Sequence, residues 1–175
     1  TIVNNPHACD DGVYIVVGSP VGPRQFTERV ATREAWGNIR DVDGYKVIHL
    51  FFAGQDENDE EGDRLIREEN DRYHDIIQFD MRNHFMNLTL LAILTYNWTY
   101  HYCPHIGYYV RADNDLWYNP RLHIHNYLLE KRQQTLIGNI VQGNKPIRVD
   151  VSRYWMPKSI FPAATFDPYP SGCFV

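Results

Sequence analysis

The chain has 175 residues, of which 43% are apolar and 14% are aromatic. This composition is typical of a globular protein and excludes an intrinsically disordered one, and the length predicts a single domain over residues 1–175. The net charge of −5, from 17 basic and 22 acidic side chains, argues against a general nucleic-acid binder but leaves room for an anionic nucleotide at a local site.

Strands and helices alternate in the first part of the chain. Residues 13–17 form a β-branched and aromatic run that ends in a Gly-Ser-Pro turn, which predicts a buried strand. Residues 25–36 then follow a helical pattern that ends at Gly37. Residues 46–52 predict a second buried strand, and the charged residues 59–73 predict a surface helix.

The alternation continues through the middle of the chain. Residues 75–77 predict a short third strand. Residues 87–100 carry apolar side chains almost all round, which predicts a buried helix. Residues 106–110 predict a fourth strand.

The last part of the chain is less regular. A helix is predicted at 120–131, with Asn119 as its N-cap and Pro120 at its first position. A strand is predicted at 136–141, and the remainder, which is rich in Pro, Tyr and Trp, is predicted to be irregular. The whole pattern predicts an α/β layer fold with a largely parallel sheet.

Neither a membrane span nor a signal peptide is visible in the sequence. No apolar run approaches the ~18 residues that a span requires, and Thr1 opens on polar residues. The missing initiator methionine and the apolar ending at 173–175 lead us to expect a piece of a longer protein.

The triplet Asp113-Asn114-Asp115 is the main candidate for a functional site. It directly follows the predicted strand at 106–110, and ligands of open α/β sheets bind beyond the carboxyl ends of strands. Two carboxylates at this spacing suit a hard divalent cation that is shared with substrate phosphates. The alternative is an ordinary Asp/Asn turn, because these residues favour turns for local backbone reasons.

The surroundings of the triplet resemble a known family. The motifs that carry the resemblance are, in chain order, residues 32–37, 51–54, Glu69, 73–77, Asp80, 85–90, Trp98, Cys103, Arg111, the triplet, Asn119, 152–155 and 169–172. In this order and at these spacings they resemble the β-1,3-galactosyltransferase family, which includes β-1,3-N-acetylglucosaminyltransferase relatives. The resemblance extends from about Cys9 to Val175.

The resemblance implies a GT-A type nucleotide-sugar-binding fold, in which a mixed, mostly parallel sheet is flanked by helices; this chain would hold the fold incomplete at its C-terminus. It implies an inverting transfer of a hexose from a UDP-sugar to a glycan acceptor in β-1,3 linkage, usually with Mn²⁺. It also implies a Golgi location, as the lumenal domain of a type II membrane protein whose anchor precedes Thr1.

The resemblance also implies roles for individual residues. Asp113 and Asp115 would hold the metal and UDP, with Asn114 in the same nucleotide-sugar site and Asp115 the more direct metal ligand. Arg33 and Asp75 would lie near the donor nucleotide, where an arginine fork suits a diphosphate. The alternatives are a surface ion pair with a nearby glutamate for Arg33 and a polar contact at the start of a strand for Asp75.

The chain departs from the family pattern at several positions. Asn114 replaces the middle acid of the usual triplet, Arg111 replaces a lysine, Leu91 replaces a basic residue, and the last motif lacks its second glycine. The acidic motif that supplies the general base of the family is expected beyond Val175, so no catalytic base is named here. A catalytically inactive fragment that binds a UDP-sugar or a glycan is therefore the alternative function.

Two further features depend on the cellular compartment. Asn87-Leu88-Thr89 and Asn97-Trp98-Thr99 are glycosylation acceptors if the chain enters the secretory pathway. The resemblance and such a compartment would permit a disulfide between Cys9 and Cys103. Free buried thiols are the alternative.

Histidines and a cysteine provide a weaker metal candidate. His123 and His125, and the group His101, Cys103 and His105, have the residue types of zinc ligands. Neither set has the paired spacing of a structural zinc site, so packing or surface histidines are the alternative.

The neighbouring aromatic residues Tyr154 and Trp155 are a candidate for acceptor binding. Their rings are suited to stacking on an acceptor sugar. Core packing is the alternative, because large aromatic side chains most often serve that purpose.

Overall fold

The computed structural model describes residues 1–10, 12–56, 60–128 and 136–171. The chain divides into two compact units, residues 1–131 and residues 132–175. The predicted helix start at Asp59, the predicted helical residues 129–131 and the end of the last motif at 172–175 lie outside the described residues.

A five-stranded sheet forms the centre of the first unit. Four parallel strands have the spatial order β4-β3-β1-β5, and β2 pairs antiparallel with the start of β3. The strands are β1 (Ile15–Val21), β2 (Asp41–Val42), β3 (Tyr45–Gln55), β4 (Ile76–Arg82) and β5 (Tyr108–Arg111). All four predicted strands of this region are confirmed, and β2 is an additional strand that its two-residue length left without a sequence signal.

Three helices connect the parallel strands among the described residues, and a fourth follows β5. They are α1 (Phe26–Thr32), which continues as a π-helical turn Arg33–Gly37, α2 (Glu60–Tyr73), α3 (Leu88–Tyr102) and α4 (Pro120–His123), which continues as a π-helical turn Ile124–Leu128. The α4 N-cap prediction is confirmed, because the side chain of Asn119 accepts a hydrogen bond of 3.0 Å from the Leu122 amide. Pro120 occupies the first turn, where its missing N–H costs nothing.

The sheet carries an apolar core on each face. Phe51 and Phe52 are neighbours on β3, so their side chains point to opposite faces. Phe52 packs in one cluster with Trp98 of α3, while Phe51 packs in the other with Ile66 of α2. This two-sided arrangement confirms the predicted α/β class with a mostly parallel sheet flanked by helices.

The N-terminal segment covers the free edge of β4. Val3 forms an antiparallel bridge with Gln78, and Asn4 accepts a 2.6 Å hydrogen bond from the indole N–H of Trp98. The predicted disulfide between Cys9 and Cys103 is confirmed, with 5.3 Å between the two Cα atoms. The bridge between Val3 and Gln78 pairs backbone groups at the edge of β4 that could otherwise bind the edge of another chain.

The prediction that α3 is buried all round is wrong. Leu91 and Trp98 are buried against the sheet, but Leu90, Ile93 and Tyr100 are exposed. A helix that packs on one face of a sheet buries only the side chains turned towards that sheet. A count of apolar residues does not reveal which face has a neighbour.

The second unit contains a small antiparallel ladder. Strand β6 (Asn139–Val141) pairs with β7 (Tyr169–Ser171). β6 lies within the predicted strand at 136–141, but β7 falls in a segment predicted to be irregular, so that prediction is wrong there. Arg148 holds the intervening loop by donating to the carbonyl oxygens of Met156 and Ala163.

No helix among the described residues is long and apolar enough to cross a membrane.

Candidate functional site

The acidic loop follows β5 directly. The amide of Ala112 donates a 3.0 Å hydrogen bond to the carbonyl of Gly18, which extends the pairing of β5 with β1 by one step. Asp113 is therefore the first residue beyond the parallel pairing. Because the carboxyl ends of parallel strands meet at the same edge, the loop lies where ligands of such sheets bind.

The backbone of the loop is anchored by the segment that follows β1. The Thr32 hydroxyl donates to the carbonyl of Asn114 at 3.3 Å, and the Trp36 indole N–H donates to the carbonyl of Leu116 at 3.0 Å. These contacts join residues about eighty positions apart in the sequence. They fix the path of the main chain while Asp115 remains exposed to solvent.

The two carboxylates of the loop repel each other. Partial burial raises the pKa of Asp113 above its ordinary value, and the charge of Asp115 raises it further. The guanidinium of Arg111, 3.6 Å from the Asp113 carboxylate, acts in the opposite direction without cancelling the shift. A raised carboxylate pKa means that the loop favours an added positive charge.

The donor set of the loop fits a shared divalent cation. No group of three or more His, Cys, Asp or Glu side chains able to hold a metal occurs among the described residues. Asp113 and Asp115 offer two carboxylates, and a hard cation of the Mg²⁺ or Mn²⁺ type held by them would take its remaining oxygen ligands from substrate phosphates and water. Binding of a metal by this loop stays a prediction.

Asn114 differs in character from its two neighbours. Its side-chain nitrogen is buried and has no hydrogen-bond partner among the described residues. An amide nitrogen is a donor and does not ligate a cation, but it can donate to an anionic oxygen. The loop therefore combines two carboxylates with one buried donor.

Arg33 and Asp75 are brought together, 42 positions apart, in the interior. Asp75 accepts two hydrogen bonds from the Arg33 guanidinium, at 2.7 Å from Nε and 2.8 Å from Nη2. Nη1 of Arg33 donates to Glu69 at 2.6 Å. Arg29 completes the network by donating to both oxygens of Glu69.

The network is buried and internally neutralised. Arg33 is 4% exposed, and the rings of Tyr73 and Phe51 cover its guanidinium at 4.0 and 4.9 Å. Burial alone would lower the pKa of Arg33, but the hydrogen bonds and charges of Asp75 and Glu69 outweigh it and raise the pKa. The alternative of an ion pair with a glutamate is therefore present, although the pair is buried rather than on the surface.

This geometry changes how Arg33 is able to act. Three of its five N–H groups, one on each nitrogen, donate to carboxylates, and the side chain is buried, so a direct contact with a diphosphate would have to use the remaining N–H groups of Nη1 and Nη2. The nucleotide-binding roles of Arg33 and Asp75 stay predictions. What the structure establishes is that these two residues form one hydrogen-bonded network with Glu69.

The sequence did not point to the buried pair of Ser19 and His49. The Ser19 hydroxyl and His49 Nε2 lie 2.8 Å apart on β1 and β3, while Nδ1 of the same ring is buried and has no hydrogen-bond partner in the part of the chain that the structure describes. Burial, with the charges of Arg40 and Arg33, lowers the pKa of His49 to about 3. The sequence feature that could have indicated this pair is the histidine inside an otherwise apolar predicted strand.

The histidine candidates do not form a metal site among the described residues. Cys103 is oxidised in the disulfide. His123 contacts the Tyr118 hydroxyl at 3.0 Å, whereas His125 contacts Asp43 at 2.8 Å. The interpretation as packing or surface histidines therefore holds for this pair.

The aromatic pair Tyr154 and Trp155 lies on the surface of the second unit. The two side chains are 58% and 46% exposed, so the alternative of core packing is wrong. The guanidinium of Arg153 lies 5.1 Å from the Tyr154 ring. Stacking of an acceptor sugar on this pair stays a prediction.

The fold places an acidic loop at the carboxyl edge of a parallel sheet in an α/β protein, which is the edge where ligands of such sheets bind. The model of the Galactosyltransferase family matches residues 27–175, and the chain belongs to this family. That membership agrees with the sheet described above, which is consistent with a GT-A-like fold.

Individual relatives give the same result. β-1,3-galactosyltransferase 2 of Mus musculus and that of Homo sapiens are each 30% identical over 176 residues, which cover 98% of this chain and 42% of the relative. β-1,3-galactosyltransferase 1 of Mus musculus is 27% identical over 175 residues, covering 98% of this chain and 53% of the relative. The chain thus spans about half the length of the curated relatives it matches.

Proposed function

We propose that this chain forms the donor-binding part of an inverting glycosyltransferase. The enzyme moves a hexose, galactose or an N-acetylhexosamine, from a UDP-sugar to a hydroxyl of a glycan acceptor in β-1,3 linkage. The observation that carries this proposal is the position of Asp113 and Asp115 on an anchored loop at the carboxyl edge of the sheet, in a chain of the galactosyltransferase family.

The residues of the loop divide the work of holding the donor. Asp113 and Asp115 hold Mn²⁺, which when bound neutralises the charge that develops on the leaving diphosphate. The unpartnered amide of Asn114 donates to a phosphate oxygen, and Arg111 adds positive charge at the edge of the loop. Thr32 and Trp36 keep the loop in place before the donor arrives, which lowers the cost of ordering it.

The proposal extends to the compartment and the partners. A disulfide between Cys9 and Cys103 and two sequons suit the lumen of the Golgi. We propose a type II membrane protein with its anchor before Thr1, acting on acceptor glycans of glycoproteins or glycolipids. The acceptor hydroxyl needs a general base, for which no residue of this chain is proposed.

Calorimetric titration of UDP into the protein, with and without Mn²⁺, tests the metal site. We expect binding to require Mn²⁺ and Asp115→Ala to weaken it roughly 10–100-fold, the range typical when a metal site loses a supporting group. The matched control is Asp71→Ala, which removes an exposed acid of α2 and leaves binding unchanged. A UDP affinity that changes neither on removal of Mn²⁺ nor in the Asp115→Ala variant would contradict the proposal.

A second candidate function is donor binding without transfer. Asn114 favours it, because an amide replaces one of the three acids of the family triplet and lowers the negative charge available to a cation. The two functions separate in the full-length protein, where release of UDP from a UDP-sugar is measured with an acceptor glycan present. Binding with no release identifies the binding protein, whereas acceptor-dependent release identifies the enzyme.

A further inference from the structure

Helix α3 carries an apolar stripe on the face turned away from the sheet. Leu90, Ile93 and Tyr100 are 45%, 58% and 77% exposed. Together with Asn97 they follow the spacing i, i+3, i+7 and i+10, which places all four side chains along one side of a helix. Contiguous exposed apolar surface commonly marks a place where another group binds.

Asn97 lies within this apolar stripe and is the acceptor residue of a sequon. The triplet is Asn97-Trp98-Thr99, and Asn97 is exposed whereas Trp98 and Thr99 are buried against the sheet. The backbone thus directs the acceptor amide into solvent between Ile93 and Tyr100. A large group attached there meets no packed side chain of the buried face.

The disulfide supplies an independent indication of compartment. Cys103 is the C-cap of α3, four residues after Thr99, and it is bonded to Cys9. Disulfides of this kind persist in oxidising compartments of the secretory pathway. Asparagines of sequons receive their glycans in the same pathway.

We propose that Asn97 carries an N-linked glycan whose first sugars lie over the apolar stripe. The apolar faces of sugar rings suit the Tyr100 ring and the aliphatic side chains of Leu90 and Ile93, while their hydroxyl groups remain in water. The glycan prevents the stripe from pairing with a second copy of the chain, for which its heptad-like spacing is otherwise suited.

Asn87 of the other sequon has a different environment. It is half-buried, and its amide nitrogen donates a 3.0 Å hydrogen bond to the carbonyl of Arg82 at the end of β4. This amide supports the turn that leads into α3. Asn87 therefore provides an internal comparison for Asn97.

Site-resolved mass spectrometry tests the modification. The full-length protein is expressed in a eukaryotic cell, purified and treated with peptide N-glycosidase, which converts glycosylated asparagine to aspartate. We expect conversion at Asn97 in the wild type and none in Asn97→Gln or Thr99→Val. Thr99→Val keeps the buried volume, and the Thr99 hydroxyl has no hydrogen-bond partner within the described ranges that the change would remove.

The matched control is Thr89→Val, which destroys the Asn87 sequon but leaves the bond from Asn87 to Arg82 in place. Conversion at Asn97 is expected to persist in this variant. Unmodified Asn97 in purified protein that contains the Cys9–Cys103 disulfide overturns the proposal.

Removal of the glycan from the folded protein tests its position over the stripe. Light scattering with size-exclusion chromatography is expected to show a monomer before enzymatic deglycosylation and dimers or larger species afterwards. Ile93→Ser should suppress that association, because it places a polar residue in the stripe. Identical size before and after deglycosylation contradicts the role of the glycan as a cover for the stripe.

Discussion

Ser19 and His49 form a hydrogen-bonded pair inside the sheet, next to the buried arginine network. His49 is 4% exposed and packs edge-on against Trp36 and Phe51. A charged imidazole in this position would be desolvated and would face the positive charges of Arg40 and Arg33. The ring is therefore neutral in the folded protein above a pH of about 3.

His49 should make the stability of the protein depend on pH. Its pKa is about 3 in the folded chain and near its ordinary value of 6.5 in the unfolded chain. Between these values the unfolded state binds a proton that the folded state does not, so the free energy of unfolding falls as pH falls, by up to ~1.4 kcal/mol per pH unit.

Urea unfolding across this window, compared with His49→Gln, measures the contribution. Glutamine does not titrate and is able to keep a hydrogen bond to Ser19. We expect the free energy of unfolding of the variant to fall less steeply as pH falls. The difference in slope should correspond to the binding of about one proton on unfolding. Parallel pH profiles for the two proteins would show that His49 is solvated.

At the scale of the elements, α2 has one buried and one exposed set of ion pairs. Glu69 faces the sheet and joins Arg29 to Arg33 with 6% of its surface exposed. Glu61 pairs with Arg64 on the solvent side of the same helix. The two glutamates lie on the same helix, but Glu69 is buried in protein whereas Glu61 is exposed to water.

Removal of the buried carboxylate should be far more costly than removal of the exposed one. Glu69→Ala leaves Arg33 with Asp75 and leaves Arg29 with only the carbonyl oxygens of Gly22 and Pro23 among the described residues, and we expect it to lower the free energy of unfolding by about 3–5 kcal/mol. Denaturant unfolding measures the loss. Glu61→Ala is the matched control and is expected to have little effect, because water already screens its pair. Equal losses in the two variants would mean that the network is hydrated.

At the scale of the whole first unit, the N-terminal segment is secured at several points. Val3 bridges Gln78 on β4, Asn4 accepts from Trp98 on α3, and Cys9 is bonded to Cys103 at the end of α3. The disulfide joins residues that are 94 positions apart. It therefore removes much of the freedom of the unfolded chain.

Loss of the disulfide should destabilise the protein without changing its fold. We expect the double variant Cys9→Ala/Cys103→Ala to lose about 2–5 kcal/mol of unfolding free energy in denaturant titrations. A reducing agent should reproduce this loss in the wild type and add nothing further in the variant. An unchanged unfolding midpoint in the variant would contradict the expected stabilisation.

Local patterns predicted most of the regular structure. The β-branched runs of β1 and β3 and the pair Asn119-Pro120 carry their own signals, since strand propensity and helix capping depend on neighbouring residues. β2 and β7 were missed because two- and three-residue strands are defined by their partners rather than by their composition. The exposure of α3 was missed because periodicity does not show whether a neighbour is present.

The sequence by itself determined the α/β class, the family and the position of the acidic triplet after a strand, because each depends on residue types in a fixed order. Tertiary structure alone decided that Arg33 is bound to Asp75 and Glu69, that Ser19 meets His49, and that Asn97 faces solvent. These features join positions 30 to 42 residues apart or depend on which face of a helix is covered. Their energies come from burial and from partners that folding brings together, which no local pattern contains.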